Sequence, residues 1–93
     1  PPGDFTVVFR VLSWDRSRHS PSELARACGA GPGTLGPTYA RGGERLGVPL
    51  AFWGVLIERG AQILLLEAEA PEAKLHMLRR AFVRWGNEVA GGP

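Results

Sequence analysis

The fold of this chain is decided by residues 50–68, which read LAFWGVLIERGAQILLLEA. Two apolar runs, 50–57 and 62–68, are separated by a short polar segment that contains Gly60. Runs of this length, rich in branched and aromatic side chains, are typical of β-strands, and a glycine between them permits the positive φ of a tight turn. The stretch therefore predicts an antiparallel β-hairpin.

A third apolar run, residues 5–12, predicts an earlier strand, and all three strands are apolar on both faces. In the second strand, for example, Phe52 and Leu56 point away from Trp53 and Val55, because side chains alternate with a period of two. Such strands are normally buried on both sides. We expect the two predicted helices to cover one face of the sheet. A second copy of the chain would then cover the other, which predicts a homodimer or higher homo-oligomer.

Both helices have recognisable start signals. Ser20, Pro21 and Glu23 form the sequence pattern of a capping box, and Gly29 predicts the end of the first helix. The second helix is predicted from Pro71 to Gly86-Asn87. Its apolar stripe consists of Leu75, Leu78, Phe82 and Trp85.

The remaining segments carry weaker signals. Residues 29–43 are rich in Gly and Pro, which predicts a long irregular stretch that serves as a lid or as a plain connection. Residues 39–46 are compatible with more helix, although Gly42-Gly43 argues against it. Residues 88–93 allow at most a short fourth strand.

These elements follow the order β-α-β-β-α with an optional final β, which is close to the ferredoxin-like plan. We therefore predict a single α+β domain over residues 1–93 with an antiparallel sheet. Its length of 93 residues limits the core that one chain can bury, which again favours an oligomer.

Composition excludes several classes of function. The single cysteine, Cys28, excludes an internal disulfide and a cysteine-rich zinc site. The net charge of +2 is too small to indicate a nucleic-acid partner, and no apolar run is long enough to span a membrane. Arg79, Arg80 and Arg84 are more typical of a solvated helix face than of a phosphate-binding patch. We expect a cytoplasmic protein without membrane or nucleic-acid partners.

Arg10 is the best single candidate for a ligand-binding residue. It is the one charge inside the first strand, so it must reach a carboxylate, the solvent or a ligand. Glu67 is a possible partner, either to orient Arg10 or to act as a base, and Trp53 and Tyr39 are candidates to line the pocket. The alternative for Glu67 and Glu69 is a strand that emerges into solvent.

A weaker candidate is His76, as a haem or metal ligand. On a helix it points away from the apolar stripe, towards solvent or a partner. No set of His, Asp and Glu at metal-ligand spacing accompanies it, so we expect no cofactor.

Residues 46–56 and 62–73 carry a family resemblance. They read LGVPLAFWGVL and QILLLEAEAPEA, and they resemble the GYD-type branch of the dimeric α+β barrel superfamily. The shared pattern is a glycine before an aromatic-containing strand, a hairpin, and an apolar strand that ends in Glu-Ala-Pro. The family's Gly-Tyr-Asp is replaced by Glu58-Arg59-Gly60. The resemblance implies a dimeric barrel, in a superfamily that includes isomerases, cofactor-free monooxygenases and haem-degrading enzymes.

Two functions follow as hypotheses. The first is the binding of an apolar or aromatic small molecule, with a cofactor-free isomerase or monooxygenase as the enzymatic form. The second is a non-catalytic homo-oligomeric assembly module, in which both sheet faces serve packing alone.

Overall fold

The protein is an α+β structure with a four-stranded antiparallel sheet and two helices. The structure, a computed structural model, describes residues 7–91 apart from the side chains of residues 75 and 76. The elements are β1 (Val8–Asp15), α1 (Pro21–Cys28), β2 (Thr38–Arg45), β3 (Val48–Arg59), β4 (Gln62–Pro71), a 3-10 turn (Glu72–Lys74) and α2 (Leu75–Gly91). The strand order across the sheet is β1-β4-β3-β2.

The predicted hairpin is confirmed as β3 and β4. The strands pair from Leu50 with Pro71 to Arg59 with Gln62, which leaves a two-residue loop. Gly60 occupies the first loop position with φ 59°. A glycine suits that position because a side chain rarely adopts positive φ.

The predicted irregular stretch ends earlier than expected, because residues 38–45 form β2 rather than a loop or a helix. This strand pairs with β3 along its whole length. Its glycines weaken the sequence signal for a strand. Gly43 is nevertheless useful there, since a Cβ atom at this position would lie 2.9 Å from the Phe52 ring.

The predicted capping box of α1 is confirmed. The Ser20 hydroxyl accepts a hydrogen bond from the Glu23 backbone N–H at 3.1 Å, and the Glu23 carboxylate accepts one from the Ser20 N–H at 3.5 Å. Gly29 ends the helix in the left-handed conformation with φ 71°. The start and end of α1 therefore follow from local sequence alone.

The predicted start and the predicted end of the second helix are both wrong. Pro71 ends β4 instead of starting the helix, which begins after the 3-10 turn. The helix continues through Gly86 to Gly91, so residues 88–91 form no fourth strand. Gly86 serves packing rather than termination, because a Cβ atom there would lie 3.0 Å from the Leu35 side chain.

The two helices lie on opposite faces of the sheet, contrary to the expectation that both cover one face. Leu24 of α1 packs with Leu56, Ile63 and Leu65, whereas Phe82 of α2 packs with Val55, Ile57, Leu66 and Ala68. We call these sides the α1 face and the α2 face. Odd-numbered residues of β4 lie on the α1 face and even-numbered residues on the α2 face. Homodimerisation stays a prediction, but a face left bare by both helices is no longer the argument for it.

Among residues 7–91, no helix is long and apolar enough to cross a membrane.

Candidate functional site

A cluster of polar side chains occupies the part of the α1 face that the short helix α1 does not cover. The cluster draws on both edge strands and on β4. Its members are Arg10, Tyr39, Arg41, Arg45, Glu67 and Glu69, and we call it the arginine–glutamate cluster. It contains three residues predicted from the sequence, namely Arg10, Tyr39 and Glu67.

The register of the strands places these residues in one row across the sheet. Arg10 pairs with Glu67, Glu67 pairs with Gly54, and Gly54 pairs with Tyr39. Four strands therefore contribute one residue each at the same level. Residues in such a row point to the same face.

Gly54 makes the contact across the row possible. The Tyr39 ring lies over this glycine, and a Cβ atom at residue 54 would approach the ring atoms to 2.1–2.5 Å. The Tyr39 hydroxyl thereby reaches across β3 and donates a hydrogen bond to Glu67 Oε2. A glycine inside an otherwise apolar strand is a known sign of such a close approach.

Arg10 joins both glutamates from the opposite side. Its Nε and Nη2 donate to Glu67 Oε1 at 3.1 and 3.0 Å, and Nη2 also donates to Glu69 Oε1 at 2.9 Å. These hydrogen bonds, the one to Glu69 first, raise the pKa of the Arg10 guanidinium, which stays charged in any case. The predicted pairing of Arg10 with Glu67 is thus confirmed.

The glutamates do not emerge into solvent as the alternative interpretation expected. The Glu69 side chain is 7% exposed and the Glu67 side chain 12%. Buried carboxylates require charged or hydrogen-bonding partners, and the cluster supplies them. Both oxygens of Glu67 are engaged, Oε1 by Arg10 and Oε2 by Tyr39, which favours an orienting role over that of a base.

Arg41 and Arg45 complete the cluster from β2. Arg45 Nη2 lies 3.1 Å from Glu69 Oε2, and Arg41 Nη2 lies 3.9 Å from Glu67 Oε2. The Arg41 guanidinium also sits over the Tyr39 ring, 4.7 Å from its centroid, which is a cation–π contact. Sequence reasoning missed both arginines because β2 was not predicted as a strand.

The cluster has a buried anionic floor and an exposed cationic rim. Three guanidinium groups surround two carboxylates, so the cluster carries an excess of one positive charge. The arginine side chains are 39–58% exposed, whereas both carboxylates are nearly covered. Such a rim attracts an anion, because guanidinium groups bind carboxylate and phosphate oxygens.

Tyr39 takes part in the cluster as a hydrogen-bond donor, and its hydroxyl does not act as a base at neutral pH. Burial, and then its hydrogen bond to Glu67, raise the pKa of the Tyr39 hydroxyl well above its ordinary value of 10.0. The phenol therefore stays protonated.

Trp53 lies apart from the other predicted site residues. Its side chain is on the α2 face, where its ring centroid is 5.8 Å from that of Phe82. It lines a groove between β2 and α2 together with Thr38, Tyr39, Ala40, Arg79, Phe82 and Val83, although the Tyr39 ring itself lies over Gly54 on the α1 face. The sheet thus separates Trp53 from the guanidinium of Arg10.

The remaining candidates carry no site. Cys28 packs partly buried against the core beside Leu24, in agreement with a structural role. The His76 side chain falls outside the part of the chain that the structure describes. Within that part, no group of three or more His, Cys, Asp or Glu residues is placed to hold a metal ion.

Comparison of this chain with protein-family models, with curated proteins and with solved structures finds no match.

Proposed function

We propose that the protein binds a small molecule with an anionic group at the arginine–glutamate cluster. The observation that carries this proposal is the convergence of Arg10, Arg41 and Arg45 on the uncovered part of the α1 face. Among the described residues, the bonds of Arg10 to the glutamates use Nε and Nη2 and leave Nη1 for a ligand. Arg41 is held by the Tyr39 ring rather than by a close ion pair, so its hydrogen-bonding groups are also available.

The surroundings of the cluster favour a ligand with an apolar or aromatic body. Val8 and Phe52 lie on the same face one row away and are half-buried, and Leu12 beside Arg10 is half-exposed. An aromatic ring placed on these side chains would bring its carboxylate or phosphate to the arginines. Apolar contact together with a few fixed polar groups is typical of small-molecule sites.

The family resemblance supports a finer version of this proposal. In a ferredoxin-like unit that pairs sheet to sheet as a dimeric α+β barrel, a second copy would enclose the cluster and its ligand. The enzymatic form would be a cofactor-free isomerase or monooxygenase. Tyr39 would then donate a hydrogen bond to the ligand or orient Glu67, since its hydroxyl stays protonated.

The test is a titration of the protein with benzoate, phenylacetate and phenyl phosphate, followed by amide chemical shifts in NMR spectra. We expect saturable shifts at Arg10, Arg41 and Glu67 that disappear in Arg10→Met. Arg41→Gln removes a more exposed arginine and provides a second measurement in case Arg10→Met fails to fold. Arg79→Met removes a cation from the α2 face and should bind as the wild type does.

The proposal fails if none of the three probes shifts these amides at millimolar concentration. It also fails if Arg41→Gln and Arg10→Met both bind as tightly as Arg79→Met.

A second candidate function is the non-catalytic assembly module. It is favoured by a different observation, namely three half-exposed apolar side chains on one edge strand: Phe9, Val11 and Leu12. In this case the cluster would serve stability alone, and the probes would not bind.

A further inference from the structure

The outer edge of β1 is an open strand edge in the part of the chain that the structure describes. β1 lies at one end of the sheet and pairs only with β4. Of the six exposed large hydrophobic side chains among the residues that the structure describes, three lie in this strand, with exposures of 44% for Phe9, 53% for Val11 and 46% for Leu12. Open edges with exposed apolar residues are templates for pairing with another strand.

The backbone groups that point outward can be identified from the register. The Arg16 N–H donates to the Ala61 carbonyl at 2.9 Å, so even-numbered residues of β1 direct their backbone groups towards β4. The backbone groups of odd-numbered residues point the other way, because successive residues of a strand direct these groups to opposite sides. Phe9, Val11 and Ser13 therefore present their N–H and C=O groups to the outer edge.

The other edge of the sheet is built differently. β2 contains two glycines and three charged residues. At its first residue, Thr38, the outward-facing N–H and C=O groups are already hydrogen-bonded to the C=O and N–H of Gly31, each at 2.8 Å. None of the exposed large hydrophobic side chains lies in β2. Charged residues and a covering segment are ordinary ways to protect an edge. β1 contains no proline, glycine or lysine that would protect its edge. The guanidinium of Arg10 forms ion pairs with Glu67 and Glu69 of β4 and so does not protect that edge either.

We propose that β1 pairs with β1 of a second copy of the chain, antiparallel about a two-fold axis at Val11. The two sheets would join into one continuous sheet of eight strands, four from each copy. This arrangement is an isologous interface, in which the same surface meets itself. The proposal does not depend on ligand binding at the arginine–glutamate cluster, and in a dimer it is the alternative to the sheet-to-sheet pairing that the family resemblance implies.

The side chains of β1 are complementary to themselves in this register. Phe9 would face Ser13 of the second copy, and Arg10 would face Leu12. Val8 would face Trp14, which is a favourable pair of a β-branched and an aromatic side chain. No charged residue would stand opposite a like charge, and the half-exposed apolar side chains of both copies would cover each other.

Neighbouring two-fold registers are less favourable. An axis at Arg10 would set two arginines directly opposite each other, which is destabilising. An axis at Leu12 would place Phe9 opposite Asp15, whose carbonyl already accepts bonds from Arg18 and His19 at 3.0 and 3.1 Å. Val11 is thus the centre that avoids both conflicts.

Amide hydrogen exchange measured by NMR at two protein concentrations tests the proposal on the wild type. Between about 10 µM and about 1 mM, association rises by mass action. We expect exchange of the Phe9, Val11 and Ser13 amides to slow by about tenfold or more at the higher concentration. The amide of Ala40, which points outward from β2, serves as the internal control and should exchange equally fast at both.

A pair of matched variants tests the same interface by mass. Val11→Lys places a charge at the axis, where it would face its own copy, and Ala40→Lys places the same charge on β2. In size-exclusion chromatography with light scattering, we expect the wild type and Ala40→Lys to show twice the 10.0 kDa of one chain. Val11→Lys should show the mass of a single chain with an unchanged circular dichroism spectrum.

Three outcomes would overturn the proposal. The wild type could be monomeric at millimolar concentration. Alternatively, the mass could double while the Phe9, Val11 and Ser13 amides stay fast, which would point to sheet-to-sheet packing. Finally, Val11→Lys could fold and dimerise as Ala40→Lys does. The exchange measurement needs no variant, so the proposal stays testable even if Val11→Lys does not fold.

Discussion

The two faces of β4 show two different ways to bury a strand. On the α2 face, Leu66 and Ala68 of this strand pack with Phe82 of a 17-residue helix. On the α1 face, Ile63 and Leu65 meet the short helix α1, and Glu67 and Glu69 then continue where that helix no longer covers the sheet. One strand therefore combines apolar burial with a buried ionic cluster.

The difference has energetic consequences. Apolar side chains are stabilised by the area they remove from water, so the α2 face tolerates no large loss of volume. Buried carboxylates add little net stability by themselves, yet each one becomes costly when its partner is removed. Stability should thus depend on side-chain volume at the α2 face, and on charge and hydrogen-bond geometry at the arginine–glutamate cluster.

The largest expected effect is the loss of a ring on the α2 face. Phe82 is buried and lies near three aromatic rings, those of Phe9, Trp53 and Trp85. Phe82→Ala should lower the free energy of unfolding by about 3–5 kcal/mol because it leaves a cavity. Urea denaturation measures the change. The neighbouring Val83→Ala is the control and should cost less than about 1 kcal/mol, since that side chain is exposed. Equal costs for both variants would contradict the assignment of Phe82 to the core.

The second expected effect is the loss of charge in the cluster. Glu67→Gln breaks the ion pair with Arg10 and should cost about 1–3 kcal/mol, a value reduced by the partial exposure of Arg10. The matched control is Glu58→Gln, which removes an exposed pair with Arg16 at 2.9 Å. That variant should change stability by no more than about 0.5 kcal/mol. Similar costs for the two variants would show that the cluster is no more than a surface ion pair.

The third prediction concerns geometry within the cluster. Gly54→Ala introduces a Cβ atom into the Tyr39 ring and should cost about 1–3 kcal/mol by overpacking. In the background of Tyr39→Ala, the same substitution should be neutral or stabilising, because alanine restricts the unfolded chain more than glycine. A double-mutant cycle measures this coupling. Additive costs would contradict the contact between the ring and residue 54.

The smallest expected effect is a loss of stability at alkaline pH through the ionisation of Tyr39. Tyr39 is the only tyrosine, so absorbance near 295 nm reports its ionisation alone. Burial raises the pKa of the Tyr39 hydroxyl, so we expect no phenolate in the folded protein at pH 10.0, where half forms in the unfolded chain.

The direction of the pH dependence of stability follows from the linkage between proton binding and folding. The raised pKa contributes stability that is fully present below the unfolded pKa and is lost as the pH rises through the folded pKa. Tyr39→Phe should remove this contribution to the pH dependence of unfolding. Ionisation of the folded protein with a midpoint at pH 10.0 would contradict the buried hydrogen bond.

Much of the fold was predictable from local signals. The hairpin of β3 and β4 and the capped helix α1 depend on alternation and on residues three positions apart, and both are confirmed. The strand β2 was missed because its stability comes from pairing with β3 and not from its own glycine-containing sequence. The end of α2 was misplaced because Gly86 makes room for Leu35, a contact between distant parts of the chain.

The candidate site likewise contains residues that the sequence predicts and residues that only the structure brings together. The expectation that Arg10 reaches a carboxylate, the solvent or a ligand follows from one charge in an apolar strand. Glu67 was named as a possible partner, and the structure shows bonds to Glu67 and Glu69. Arg41 and Arg45 were not identified, since only the register of β2 brings them over the glutamates. Trp53 was grouped with Arg10, but the sheet places it on the opposite face.

The sequence by itself determined the α+β class, the central hairpin, the limits of α1 and the need of Arg10 for a partner. These properties depend on neighbouring residues, where periodicity, capping and desolvation act. Only the tertiary structure decided which helix covers which face, how Gly54 lets Tyr39 reach Glu67, and which strand edge stays open. These properties depend on register and on packing between distant segments, and no local pattern specifies them.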